Sequence, residues 1–247
     1  MATFGKATFN TARYAAIRPT YPRQLFDHIF QYHGRIPSAR FDTAVDLGCG
    51  TGQATVELTP FRHIVGFDPS AKMIEQAKKG IAANGTGGAL PGQLRYEVSR
   101  AESLYSVKDS SVDLVVSAQA AHWFDWAKLW PEVSRILRED GSIAIWGYSE
   151  FRLTKYAKAT PLITEYAQGT DPRNSLGPYW QRPGRSIIEN HFLDIPDPDV
   201  VVPGAFYDFQ RIFFAAEEDE KRDSEVPGNE EEIDVEWPLA LILAKRA

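Results

Sequence analysis

Residues 43–52 read Thr-Ala-Val-Asp-Leu-Gly-Cys-Gly-Thr-Gly, and residues 63–69 read His-Ile-Val-Gly-Phe-Asp-Pro. Each segment opens as a short apolar run, and the two end differently. The first enters a turn built from Gly48, Gly50 and Gly52, while the second ends on Asp68, twenty positions after Gly48. Glycines let a backbone approach a ligand with no Cβ in the way. An acid that closes the following strand accepts hydrogen bonds from ribose hydroxyls. The pairing predicts a Rossmann-like unit that holds a nucleoside.

Two details narrow the nucleoside. A dinucleotide turn of the form G-x-G-x-x-G needs its third glycine at position 53, where this chain has Gln53. The pattern is instead D-x-G-x-G-x-G, with Asp46 ahead of the turn. A carboxylate there repels a pyrophosphate but accepts a hydrogen bond from an ammonium group. S-adenosylmethionine has no phosphate and carries an amino-acid end, so the pattern favours it over NAD. Taken alone, the turn has a second reading, in which it only closes a strand–helix corner. The alternative for the ligand is a nicotinamide cofactor in an oxidoreductase.

Working outward, apolar strands are expected at 41–47, 63–67, 94–98, 112–117 and 142–147. Helical spacing falls between them. A helix beginning near Pro22 carries Leu25, Phe26, Ile29 and Phe30 on one face, and another runs through Ala54, Val56, Glu57 and Leu58. Ser70 is placed to cap a third, with Met73, Ile74, Ala77 and Ile81 on its inner side. Asp125 opens a fourth, whose stripe is Trp126, Leu129, Trp130, Val133, Ile136 and Leu137. Asp140-Gly141 ends that connection. Alternating strand and helix predicts an α/β, doubly wound, mostly parallel sheet. After residue 150 the pattern loosens, with a helix expected at 155–167 and strands at 206–214 and 236–244. Pro238 argues for an irregular start to the last strand.

With these residues in view, the chain resembles the class I S-adenosylmethionine-dependent methyltransferases, and is similar in particular to the fungal trans-aconitate methyltransferase-like branch. Further segments carry the resemblance. Tyr14, Arg18-Pro19 and Tyr21-Pro22 match an opening motif of that branch, and Ala101-Glu102 matches the adenine-contacting pair after the third strand. Gln119-Ala120 and His122-Trp123-Phe124 match the cofactor-covering end of the fourth strand, and Trp146-Gly147-Tyr148 closes the fifth. The resemblance implies a seven-stranded sheet with an antiparallel last strand. It also implies a cofactor site formed by Tyr14, Arg18, Asp46, Gly48, Cys49, Gly50, Gln53, Asp68, Met73, Ala101, Glu102 and Gln119. A helical insertion between the sixth and seventh strands covers the substrate in that branch. Here the acidic stretch 215–235 stands in its place and is too short and polar for such a helix, so the roof over the site is expected to be incomplete.

The 247-residue chain is read as one domain: an N-terminal lid and helix to residue 40, a cofactor-binding core over 41–150, and substrate-side elements with edge strands over 151–247. Its formal net charge of −6 is misleading, because residues 217–236 hold eleven acids against Lys221 and Arg222. The remainder is slightly basic with no dense cationic run, which argues against a nucleic-acid partner. No apolar stretch is long enough to span a bilayer and no secretory leader is visible, so a cytoplasmic location is expected. Cys49 is the single cysteine, which excludes an intrachain disulfide, and it is read as a small apolar filler of the turn. No histidine shows metal-ligand spacing, and no metal is expected. The spacing is silent on oligomeric state beyond monomer or homodimer.

Methyl transfer from a sulfonium is an in-line displacement, so the site must align the partners and exclude water. Aromatic faces stabilise the cation by about 0.5–2 kcal/mol each, and Tyr14, Trp123 and Phe124 are the candidates. A carboxylate substrate needs a cationic clamp, for which Arg18, Arg182 and Arg185 are available. A hydroxyl substrate needs a general base, and His122 is the best-placed histidine. Tyr21, Trp123, Tyr179, Trp180 and Arg182 are the candidate contacts to a small-molecule substrate. The expected function is methylation of a carboxylate or hydroxyl oxygen, with a methyltransferase-like binding protein without turnover as the alternative.

Overall fold

The computed structural model describes residues 10–13, 20–84, 93–153, 156–214 and 236–247. Tyr14, Arg18 and the acidic stretch 215–235 lie outside them. In chain order the elements are α1 (Arg23–Gly34), β1 (Thr43–Leu47), β2 (His63–Asp68), α2 (Ala71–Asn84), β3 (Leu94–Val98) and β4 (Val112–Ala118). There follow α3 (Trp126–Ile136), β5 (Leu137–Tyr148), α4 (Thr160–Gln168), α5 (Gly184–Glu189), α6 (Pro198–Val201), β6 (Phe206–Phe214) and β7 (Leu239–Arg246). The chain forms two compact units: Met1–Ile145 with Pro196–Gln210 and Ile242–Ala247, and Trp146–Ile195 with Arg211–Leu241.

The strands form one seven-stranded sheet in the order β3-β2-β1-β4-β5-β7-β6, mostly parallel with the last strands antiparallel. The chain winds outward from β1 to β3, then crosses back to lay β4 on the other side of β1. That reversal makes the carboxyl ends of β1 and β4 a topological switch point, where open α/β sheets bind ligands. The register brings the key residues level: Leu47 pairs with Phe67, Asp46 lies between Gly66 and Val116, and Asp68 pairs with Val98. The central strands β1, β2 and β4 are buried along most of their length.

The amphipathic stripes seat the helices as their spacing predicts. Leu25, Phe26 and Ile29 of α1 are buried, as are Trp126, Leu129, Trp130, Val133 and Ile136 of α3, and Met73, Ile74 and Ala77 of α2. Each large apolar side chain so buried contributes about 1.5–3 kcal/mol. No helix among the described residues is long and apolar enough to cross a membrane.

Four expectations about local structure are corrected. The helix through Ala54–Leu58 is a single 3-10 turn over Thr55–Glu57, because Thr55 points inward to a buried carboxyl and Pro60 follows closely. β5 begins at Leu137, five residues before the expected start. Asp140 takes a positive φ of 64° and Gly141 has backbone oxygens where a Cβ would lie, so the strand bends there without ending. The helix expected at 155–167 is a 3-10 turn, Ala157–Ala159, followed by α4, with Pro161 in its first turn, where no amide hydrogen is needed. The last strand starts at Leu239, directly after Pro238, while Glu236 makes an isolated bridge to Arg152.

Tight packing shapes the turn after β1. Gly48, Gly50 and Gly52 all have positive φ, a region that costs other residues about 1–2 kcal/mol. A Cβ on Gly52 would lie 2.1 Å from the Tyr96 hydroxyl, and one on Gly66 would lie 2.5 Å from the Tyr96 ring. One on Gly48 would lie 2.5 Å from Ala120 Cβ. Gly50 alone meets nothing within 4 Å, leaving an open side on the turn.

Near the amino ends of the strands sits a buried polar cluster. His33 of α1 hydrogen-bonds Ser142 Oγ at 3.0 Å and the Arg40 carbonyl at 2.7 Å. Lys245 of β7 donates to the His33 carbonyl and to Ser142 Oγ. Burial pushes the His33 imidazole down to about 4 and the Lys245 ammonium down to about 8.

Two outcomes are expected. Gly52→Ala should destabilise the protein more than Gly50→Ala in urea unfolding, because both adopt positive φ but only the first displaces Tyr96; equal losses would contradict this packing. His33 stays neutral in the fold while the unfolded imidazole protonates near 6.5. Stability is therefore whole above pH 6.5 and falls as pH drops toward 4, by on the order of 3 kcal/mol from this group. The loss between pH 7 and 4.5 should be smaller in His33→Gln, as read by the urea midpoint.

Candidate functional site

The rim of the sheet is organised around two carboxyl groups. Asp46 is carried into the interior by β1 and is 0% exposed. Its Oδ2 accepts the Thr55 hydroxyl proton at 2.6 Å, and its Oδ1 is buried with no partner. Burial raises the carboxyl to about 7; the nearby Asp68 adds to the rise and the Thr55 hydrogen bond opposes it. Asp68 ends β2. Its Oδ2 accepts from the Gly50 amide at 3.0 Å and its Oδ1 from the Ser70 amide at 2.8 Å. These two donors fix the carboxylate beside the open glycine and leave further lone pairs for a ligand. Burial also raises Asp68 above the usual carboxylate range.

Cys49 lies between these acids, with its amide bonded to the Phe67 carbonyl at 2.9 Å. Burial first, then Asp46 and Asp68, hold its thiol well above the ordinary value, so it is a protonated filler and a poor nucleophile. Its neighbours are Ile74, Ala77 and Tyr96. Tyr96 of β3 is buried under the glycine turn, with its hydroxyl packed against Gly52. Thr51, at the tip of the turn, has a buried hydroxyl with no partner.

The loops after β3 and β4 supply the remaining rim. Ala101 is buried, and Glu102 accepts from the Asp125 amide at 3.0 Å while lying 3.5 Å from Arg100. This ties the loop after β3 to the start of α3. Gln119 ends β4 with a positive φ of 55°, an uncommon conformation for a side-chain-bearing residue. His122 and Trp123 lie in the next 3-10 turn with rings 4.8 Å apart, and Trp123 is 40% exposed. Phe124 approaches the Gly48 turn and packs edge-on against Trp126. Gln53 is half-buried beyond the turn, Met73 is buried on α2, and Tyr21 packs edge-on against Phe26.

Asp46, Cys49 and Asp68 thus act electrostatically on one another, Gly50 bonds Asp68, and Gly48 lies against Ala120 and Phe124. The other unit holds Tyr179, Trp180 and Arg182, which are engaged locally. Tyr179 donates to the Pro172 carbonyl and Trp180 to the Ala167 carbonyl. Arg182 bonds Ser186 and Glu189, and Arg185 pairs with Glu189 and Glu150. Sequence reasoning missed Thr51, Thr55 and Tyr96. Only Thr55 carried a signal, as a hydroxyl nine residues after the buried acid.

These residues fit S-adenosylmethionine. The orphaned Asp46 oxygen suits an ammonium, the open Gly50 suits close approach, and the fixed Asp68 carboxylate suits ribose hydroxyls. Among the described residues no group of three potential ligands could hold a metal ion.

Residues 45–145 match a methyltransferase domain family. The probable S-adenosylmethionine-dependent methyltransferase CRG1 of Saccharomyces cerevisiae is 33% identical over 184 residues, 74% of this chain and 60% of that protein. Methyltransferase gedG of Aspergillus terreus is 30% identical over 55% of this chain and 40% of its own length. The matches therefore span less than two thirds of these relatives. A chain from Anaeromyxobacter dehalogenans described as a type II methyltransferase shares the fold at a TM-score of 0.56, with 23% identity, covering 93% of this chain and 97% of that one. The sheet order, the acid-flanked glycine turn and the matched domain agree, and the chain belongs to the class I S-adenosylmethionine-dependent methyltransferases.

Proposed function

We propose that this protein transfers the methyl group of S-adenosylmethionine to a carboxylate or hydroxyl oxygen of a small molecule. The observation that carries the reading is the pair of acids at the glycine turn, Asp68 bonded to the Gly50 amide and Asp46 with a buried, unsatisfied oxygen. Asp46, Cys49, Asp68 and Tyr96 are all groups that become anionic or stay neutral, and no described cation acts on either acid. Such a site rejects phosphates and takes a positively charged ligand.

The cofactor supplies an activated methyl on a cationic sulfur. The chain's own residues do the rest. Asp46 accepts from the ammonium and Asp68 from the ribose hydroxyls. Glu102 and Ala101 close the side after β3, while Gln119 carries the backbone over the site after β4. Alignment of acceptor and methyl can lower the barrier by roughly 7–11 kcal/mol without any proton transfer. Trp123 presents an aromatic face at the rim, with Tyr14 and Arg18 as the contacts from the N-terminal segment. For a carboxylate acceptor, already ionised at neutral pH, this suffices. For a hydroxyl acceptor, His122 takes the proton. Tyr21, Tyr179, Trp180 and Arg182 are the proposed substrate contacts. The pairing of Arg182 with Glu189 weakens its case as a free clamp.

Calorimetry should show S-adenosylhomocysteine binding, and Asp68→Ala should weaken it by about tenfold or more, the range for charge-assisted hydrogen bonds. Undiminished binding would remove Asp68 from the site. Because a neutral Asp46 cannot pair with an ammonium, affinity should fall as pH drops below about 7. With saturating cofactor, a rate that is flat between about pH 6 and 9 indicates a carboxylate acceptor. A rate rising with pH between about 6 and 7 indicates His122 or another general base.

A further inference from the structure

Asp46 is held from only one side. Thr55 has a single hydroxyl proton and gives it to Asp46 Oδ2 at 2.6 Å. Tyr96 packs beneath the same turn, and the backbone is built to admit it. Tyr96 lies level with Gly66 in the β2–β3 register, and a Cβ on Gly66 or Gly52 would collide with its ring or hydroxyl. Tyr96 is 4% exposed, Thr55 and Asp46 are 0% exposed, and Asp46 Oδ1 has no partner. The titratable groups around Asp46 are Asp68, Cys49 and Tyr96, and none is a cation that could occupy that oxygen.

We propose that Thr55 is a positioning residue for the cofactor's amino-acid end, locking the Asp46 carboxyl so that Oδ1 is reserved for the ligand ammonium. This rests on the S-adenosylmethionine reading above and assigns one residue to it. Thr55 acts through Asp46 rather than by touching the ligand. Without the Thr55 donor the carboxyl is free to rotate, and its ionised form loses its one charge-assisted hydrogen bond. The adenosine end, held by Asp68 and the loops, is unaffected.

The test compares two probes by calorimetry at pH 7.5: S-adenosylhomocysteine, which carries the amino-acid end, and 5′-methylthioadenosine, which lacks it. Thr55→Val is expected to weaken S-adenosylhomocysteine about tenfold, with Thr55→Ser near the wild type. Methylthioadenosine should bind all three proteins within about twofold. Thr55→Val keeps the side-chain shape and Thr55→Ser keeps the hydroxyl, so both preserve the packing beneath the turn. Equal losses for both probes would show a merely structural role and overturn the proposal, as would wild-type S-adenosylhomocysteine affinity in Thr55→Val. A wild type that binds methylthioadenosine but gains nothing from the amino-acid end would overturn the proposal while leaving the adenosine site intact. A wild type that binds neither probe would overturn the cofactor reading and this one with it.

Discussion

A carboxyl group removed from water and given one hydrogen bond governs the architecture of the rim. Asp46 stands at the carboxyl end of the central strand, where β1 is flanked by β2 and β4, and its desolvation is offset by the Thr55 hydroxyl alone. Burying a carboxylate without a second partner is costly, which is why its proton is held to about pH 7. A ligand that brings a positive charge relieves that cost.

The surrounding backbone serves the same end. The parallel register sets Leu47 opposite Phe67, so the glycine turn and Asp68 emerge side by side. The turn then folds back far enough for the Gly50 amide to reach Asp68. Two glycines make space for neighbours, Gly48 for Ala120 and Gly52 for Tyr96, and a third stays open. Two crowded positions and one vacant one give the turn after β1 an open side at Gly50. At the other end of the strands, His33, Ser142 and Lys245 show the opposite solution, a polar cluster closed on itself by hydrogen bonds.

Much of this was legible in the sequence because periodicity is local. The stripes of α1 and α3 and the apolar runs of β1, β2 and β4 bury the residues their spacing selects. Misreadings came where tertiary contacts override local preference. Residues 54–58 have helical composition, yet Thr55 is drawn inward to Asp46 and one 3-10 turn results. Asp140-Gly141 reads as a stop, yet β5 runs on through it with a bend where Asp140 takes a positive φ. Arg182 and Trp180 read as open recognition groups, yet both have partners within their own unit.

The sequence by itself determined the α/β alternation, the acid-flanked glycine turn and the class of ligand, since these depend on residue type and short spacing. Only the tertiary structure decided that Tyr96, on a strand whose sequence gives no hint of a role, reaches beneath the turn and packs against Gly52 and Gly66. That contact depends on two glycines far apart in the chain both lacking a Cβ, and no local pattern encodes a space left empty by two distant residues.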